Sequence, residues 1–260
     1  MTQEIKKLLE EIGNNSIFNT YPLCFIGGTA LSTYLDHRIS YDIDIASLEP
    51  LPVSAIKAFA FSIKARHIPD MKRASAFRIN SGKSLDPFYM RFMVNGVKLE
   101  FVHFEDALRQ SILTNAKVIP YSDNSTLKIL SLGDIISLKA IALFDRQKSR
   151  DLFDMAILLE RNLVSIDELE RIYSFKQKKG ETLLEYIQSF DSKKDDEGDT
   201  SLDFLPHQTH YKAFSKLTQD ERFDKCKDMF ITQYEDKQKI KLDNKQKEVK
   251  LTSRRNKRRR

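Results

Sequence analysis

The chain has 260 residues, 41% of them hydrophobic and 31% charged, with two cysteines and no tryptophan. That length is enough for one or two domains with a buried core, and no run of eighteen apolar residues is available to cross a bilayer. The net charge of +6 is uneven: Lys237–Arg260 carries twelve Lys and Arg against two acids, which leaves the rest of the chain at −4. Met1–Glu11 is charged and amphipathic rather than a secretory apolar segment. Cys24 and Cys226 have no zinc-like spacing with histidines and are read as reduced residues of a cytoplasmic protein.

The first helix is expected over Thr2–Ile12, where Ile5, Leu8, Leu9 and Ile12 recur at helical spacing before Gly13-Asn14-Asn15. Leu23–Ile26 is a short apolar strand that stops at Gly27-Gly28, and Thr29 is placed to cap a helix from Ala30 to about Leu35. A helix start offers unpaired N–H groups and the positive end of a dipole, and glycines there let an anion approach the backbone. On the strand that follows, Asp42 and Asp44 project from one face and Ile43 and Ile45 from the other. Two carboxylates about 7 Å apart along a strand repel unless a cation lies between them. Such oxygen ligands suit Mg2+, which takes its remaining ligands from water and substrate phosphates.

Pro52 opens a helix over Val53–Ala65. From Met71 to Phe104 the pattern is extended, with Phe77–Asn80 running into a Ser81-Gly82 turn and a strand over Pro87–Val94. The hairpin turn Asn95-Gly96 then leads to a returning strand, Val97–Phe104. Alternation puts Val97, Leu99 and Phe101 on one face of that strand and Lys98, Glu100 and Val102 on the other. Glu100 is therefore either a third carboxylate for the aspartate pair or a solvent-facing acid of the hairpin. A helix starts at Asp106, and a further extended pair covers Ala116–Tyr121 and Thr126–Leu130. This mixed order implies an α+β domain with helices packed on one mixed sheet.

Beyond Leu132 the chain reads as helical. Lys139 is the lone charge in Ile135–Phe144, either snorkelling from a buried face or aimed into a cleft. A helix from about Ser149 brings Arg150, Asp151 and Asp154 within reach of one another; composition alone makes them a cap and surface ion pairs. Ser165 and Glu168 have capping-box spacing, Glu181–Phe190 is another helix, and Asp191–Ser201 is an acidic loop. His207 and His210 are read as solvated, and Leu217–Tyr234 as a last helix. The basic block after it is expected to be solvated and disordered; it has the footprint of a phosphate-backbone binder without aromatics for base stacking, and serves either nucleic-acid contact or solubility or the docking of a partner.

The string Gly27-Gly28-Thr29-Ala30-Leu31, followed by His37-Arg38-x-Ser40-x-Asp42-x-Asp44, resembles the signature of polymerase-β-type nucleotidyltransferases in their AbiEii/AbiGii toxin branch. The resemblance covers about Leu23–Leu159, with a poorly matched middle between Leu48 and Leu130. It implies a nucleotidyltransferase domain over 1–130, a helical domain over 131–236 that completes the active-site cleft, and a basic tail over 237–260. Asp42, Asp44 and, as the third acid, Glu100 would hold Mg2+, while Gly27, Gly28 and Thr29 receive the triphosphate. The family's lysine in a post-sheet helix, and its later Arg-Asp-x-x-Asp box, map onto Lys139 and onto Arg150, Asp151 and Asp154. Lys139 and Asp151 are functional by that correspondence, with Lys139 neutralising phosphate charge.

The implied reaction moves a nucleoside monophosphate from a nucleoside triphosphate to RNA, including the 3′ end of a tRNA, or to protein. The implied setting is a growth-arresting toxin with a cognate antitoxin, and the basic tail fits an RNA acceptor. A small-molecule acceptor would not need the tail. Two readings from other classes remain: a non-catalytic nucleotide- or RNA-binding module on the same fold, and a structural protein with a basic tail.

Overall fold

A computed structural model describes residues 1–176, 180–192 and 202–257, with side chains except at 209, 210, 212, 215 and 247–257. Residues 193–201 of the stretch read as an acidic loop, and 258–260 of the tail, lie outside the described residues. The chain forms two compact units: Met1–Lys139 with Leu202–Ser215, and the described residues of Ala140–Ser201 with Lys216–Arg260. The division expected at 130 and 236 draws its lines differently, because Leu202–Ser215 returns to the first unit.

The first unit runs α1 (Gln3–Ile12), α2 (Ile17–Thr20), β1 (Leu23–Ile26), α3 (Gly27–Leu35), β2 (Asp42–Ser47), α4 (Val53–Ser62) and β3 (Arg66–His67). It continues with α5 (Met71–Ser81), β4 (Tyr89–Val94), β5 (Val97–His103), α6 (Ala107–Asn115), β6 (Val118–Pro120), β7 (Lys128–Leu130) and the start of α7 (Leu132–Asp145). The strands form one mixed sheet in the order β3-β4-β5-β2-β1-β7-β6. At its centre β2 is antiparallel to β1 and parallel to β5.

Strand alternation divides this sheet chemically. Ile43, Ile45, Leu99 and Phe101 have no exposed surface. Phe101 stands edge-on to Phe59 of α4 and to Phe92 of β4, with both pairs of centroids 6.1 Å apart. Burial of these rings stabilises this side of the sheet. The other face carries Asp42, Asp44, Lys98 and Glu100. The hairpin turn forms as expected, with Asn95 and Gly96 at φ 49° and 79°.

Two expectations change. Met71–Ser81 is a helix, α5, rather than extended chain. The Asp70 carboxylate accepts from the Arg73 N–H at its start, and Gly82 ends it at φ 70°. None of its residues is buried, so no core imposed a helical period on its apolar side chains. Thr29 is not a cap: the helix begins at Gly27 after Ile26, and Thr29 lies in its first turn.

The second unit contains the rest of α7, then α8 (Ser149–Glu160), α9 (Ile166–Ser174), α10 (Leu183–Gln188) and α11 (Gln219–Lys257). The expected capping box of Ser165 with Glu168 is formed, and Thr182 with Glu185 forms another. Leu152–Leu159 of α8 is fully buried, and α11 packs along it. Phe223, Phe230 and Tyr234 of α11 are buried, and the Tyr234 hydroxyl donates to Glu170 Oε1 at 2.7 Å. Instead of ending near Tyr234, α11 runs on through the basic stretch to Lys257. Among the described residues no helix is long and apolar enough to cross a membrane.

The core assignment makes a direct prediction. Phe101→Ala should cost about 3–5 kcal/mol, whereas Phe61→Ala, at a ring 85% exposed, should change stability by no more than about 0.5 kcal/mol. Urea denaturation of the two variants checks this.

Candidate active site

The site is built where β1 ends, turns through two glycines and enters α3, with β2 returning alongside. Ile26 pairs with Asp44 across the β1–β2 ladder, so the acid strand passes directly beside the bend. Gly27 has φ 83°, a backbone conformation that L side chains rarely adopt. A Cβ there would lie 2.0 Å from Asp44 Oδ2. The Asp44 carboxylate therefore rests on bare backbone at the helix start. At Gly28 a Cβ would lie 3.0 Å from both Arg38 Nη2 and Ser40 Oγ.

The loop between α3 and β2 is fixed from several sides. His37, Arg38 and Ser40 are buried. The returning segment Leu202–Ser215 holds this loop: Ile39 N–H donates to Asp203 O at 2.7 Å, and Tyr41 Oη to Asp203 Oδ2 at 2.9 Å. His207 Nε2 lies 2.7 Å from Asp36 Oδ2, and the Gln208 amide donates to Asp36 O. Arg38 Nη1 donates to Ile39 O at 3.0 Å, and its Nη2 lies beside Gly28. The Thr29 hydroxyl, fully buried, donates to the carbonyl of Asp42. Its one O–H proton thus ties α3 to the acid strand instead of pointing to a bound phosphate.

Asp42 and Asp44 lie on one face of β2, opposite Lys98 and Glu100 of β5 in the parallel register. Asp42 Oδ1 accepts from Ser40 Oγ at 3.3 Å, and Asp42 Oδ2 lies 2.9 Å from Lys98 Nζ. Lys98 Nζ is also 3.7 Å from Glu100 Oε1. Burial works against its charge, but the charges of Asp42, Glu100 and Asp44, with the hydrogen bond to Asp42, outweigh it and hold its pKa above the usual lysine value. Glu100 Oε1 accepts from the Tyr89 hydroxyl at 2.6 Å, and the Arg73 guanidinium of α5 lies 4.0 Å over the Tyr89 ring. Burial and the neighbouring Glu100 push the Tyr89 phenol well above its usual range.

Glu100 is thus on the acid face beside Asp44, as alternation predicted, and is engaged by Tyr89 and Lys98. Asp42 and Asp44 offer hard carboxylate oxygens of the kind a divalent cation takes, and a cationic side chain is already drawn to them. Among the described residues no three His, Cys, Asp or Glu side chains converge closely enough to hold a metal ion.

The remaining sequence candidates lie on helices. Lys139 is buried on α7, at the end of the first unit. Asp151 belongs to the second unit and is fully buried, with Arg146 Nε donating to Oδ2 at 2.8 Å and Nη2 to Oδ1 at 3.3 Å. This two-point guanidinium pair holds the loop between α7 and α8. Asp154 is fully buried on the same helix. Burial also pushes the Cys24 thiol up to about 12, and both cysteines are free thiols.

Lys98, Tyr89 and Arg73 were not found by sequence reasoning as parts of the site. The signal for Lys98 was its place two residues before Glu100, hence on the same face; its approach to Asp42 needed the strand pairing. Arg38 was within the motif but had no role without the fold.

The bend itself is testable. Gly27→Ala combines a strained backbone, about 1–3 kcal/mol, with a clash against Asp44, about 1–3 kcal/mol more. Gly96→Ala, also at positive φ but with nothing within 4 Å of the added carbon, carries only the backbone part. Equal urea midpoints for the two variants would contradict the close approach of Asp44.

The sequence profile of the family described as Nucleotidyl transferase AbiEii toxin, Type IV TA system, matches residues 13–243. "Uncharacterized protein aq_aa25" of Aquifex aeolicus (strain VF5) is 28% identical over 178 residues, 68% of this chain and 75% of that protein. Among solved structures, a putative nucleotidyltransferase from H. pylori is 20% identical with a TM-score of 0.46, covering 92% of this chain and 99% of its own. JHP933 from Helicobacter pylori is 18% identical, also with a TM-score of 0.46, covering 95% and 99%. With that family profile matched across most of its length, the chain belongs to the AbiEii nucleotidyl transferase toxin family.

Proposed function

We propose that the protein is a Mg2+-dependent nucleotidyltransferase that moves a nucleoside monophosphate from a nucleoside triphosphate to an RNA or protein acceptor, as the toxin of a type IV toxin–antitoxin pair. The observation that carries this reading is the Asp44 carboxylate resting on Gly27, with Asp42 at the start of the same strand. The site thus offers anionic oxygens for a metal next to a backbone suited to phosphate.

In this reading Asp42 and Asp44 hold the cation, and Glu100 steadies the face through Tyr89. The N–H groups at Gly27 and Gly28 receive the triphosphate, with Arg38 beside them, and Lys139 neutralises phosphate charge. Asp151 acts indirectly, by fixing Arg146 and the loop after α7. The acceptor hydroxyl attacks the α-phosphorus; an O–P bond forms, the bond to the β-phosphate bridging oxygen breaks, pyrophosphate leaves, and the hydroxyl proton passes to solvent. A bound Mg2+ lowers the pKa of that hydroxyl and offsets charge on the leaving pyrophosphate.

The acceptor is assigned as RNA on charge. Helix α11 carries the basic stretch on a continuous backbone to Lys257, and a row of Lys and Arg neutralises a phosphate backbone without reading bases. One observation favours a non-catalytic binding module instead, the Lys98 ammonium already on Asp42. A transfer assay with labelled triphosphates, Mg2+ and RNA separates the two.

Asp44→Asn removes a charge without changing shape, and is expected to lower transfer at least about a hundredfold while the circular dichroism spectrum is retained. Full activity in this variant, with all four triphosphates tried, would remove the enzymatic reading. Deleting 247–260, which holds eight of the Lys and Arg, should weaken RNA binding and flatten the plot of log affinity against log salt, by about 0.7–0.9 in slope for each phosphate left without its cation. An unchanged slope would assign RNA binding to another surface.

A further inference from the structure

We propose that Lys98 is a built-in counter-cation of the acid face, offsetting the charge of Asp42 and Glu100 in the metal-free protein and leaving Asp42 when a divalent ion is taken up. This inference rests on the reading of Asp42 and Asp44 as metal ligands.

Parallel pairing of β2 and β5 sets Asp42 opposite Lys98 and Asp44 opposite Glu100. Three acids and one base therefore share one small patch of a sheet. Lys98 Nζ is 2.9 Å from Asp42 Oδ2 and 3.7 Å from Glu100 Oε1. An exposed lysine–aspartate pair would be an ordinary surface contact of little consequence. This pair is different, because the Asp42 side chain is only 9% exposed and the Lys98 side chain 28%. At that burial an uncompensated carboxylate is costly, and the ammonium offsets it.

A divalent ion needs the same oxygen. Mg2+ approaches its carboxylate ligands to about 2.1 Å, so an ammonium hydrogen-bonded to Asp42 Oδ2 repels the ion and competes for its lone pairs. Lys98 has a flexible four-carbon stem, and its backbone is fixed by neighbours that form the core, Leu99 and Val97. Its head can move while its strand stays in place. The consequence is a site held together without metal, one that disfavours a bare divalent ion. A metal that arrives with a triphosphate brings anionic oxygens, which lessen the repulsion from the displaced ammonium.

Competition of this kind is read by binding and melting, independently of turnover. Full-length protein, Lys98→Met and Lys98→Gln should be titrated with Mn2+ by calorimetry and melted in EDTA and in saturating Mn2+. Both variants should bind bare Mn2+ about tenfold more tightly than the native chain, a difference of about 1.4 kcal/mol. They should melt lower than it in EDTA, and the gap should close in Mn2+ because a ligand stabilises the state that binds it. The glutamine variant retains a polar head should the methionine one fail to fold. Mn2+ bound equally or more weakly by the folded variants overturns the role of Lys98 and leaves the aspartate site standing. No Mn2+ bound by any of the proteins, with or without nucleotide, overturns both.

Discussion

A carboxylate can sit where a residue's Cβ would be only if that residue is glycine. Asp44 does so at Gly27, and the candidate site depends on that approach. It joins two features of opposite character: a helix start, which attracts phosphate, and an acid strand, which repels it until a cation intervenes. The β1–β2 ladder sets their spacing by pairing Ile26 with Asp44. The Thr29 hydroxyl adds a second tie between α3 and the Asp42 carbonyl. Neither element could shift without breaking a contact made by the other.

The same sheet shows how a polar site is supported by an apolar one. Every second residue of β2 and β5 enters the aromatic core around Phe101, so the alternating acids have little freedom in backbone position. Charges on the acid face are then met locally, by Lys98 beside Asp42 and Glu100 and by a hydrogen bond from Tyr89 to Glu100. The loop carrying His37, Arg38 and Ser40 has no such sheet support. It is held instead by the returning segment around Asp203, His207 and Gln208, far along the chain.

Much of this was legible in the sequence where one physical rule dominated. Period-two alternation gave the two faces of β2 and β5, Asn95-Gly96 gave the hairpin, and Ser165 with Glu168 gave a helix start. The glycine pair with Asp42 and Asp44 was legible because close approach and charge each restrict the residue type. Helix α5 was not, because a helix with no buried residue bears no apolar stripe to read. Lys98 was missed as a partner of Asp42 because that pairing depends on parallel strands across more than fifty intervening residues. Asp151 could be located but not interpreted: its bidentate partner, Arg146, lies five residues earlier, across the break between α7 and α8. The continuation of α11 beyond Tyr234 ran against the expectation that like charges keep a chain unfolded.

The central claim is that the aspartate pair and the glycine bend form one binding site for a metal-bound nucleotide. A crystal grown with Mn2+ and a non-hydrolysable triphosphate, measured at the manganese absorption edge, tests it most directly. The account predicts an anomalous peak bonded to Asp42 and Asp44, with triphosphate density against Gly27 and Gly28. Manganese and nucleotide bound elsewhere, with Asp44 still packed on an empty bend, would contradict it.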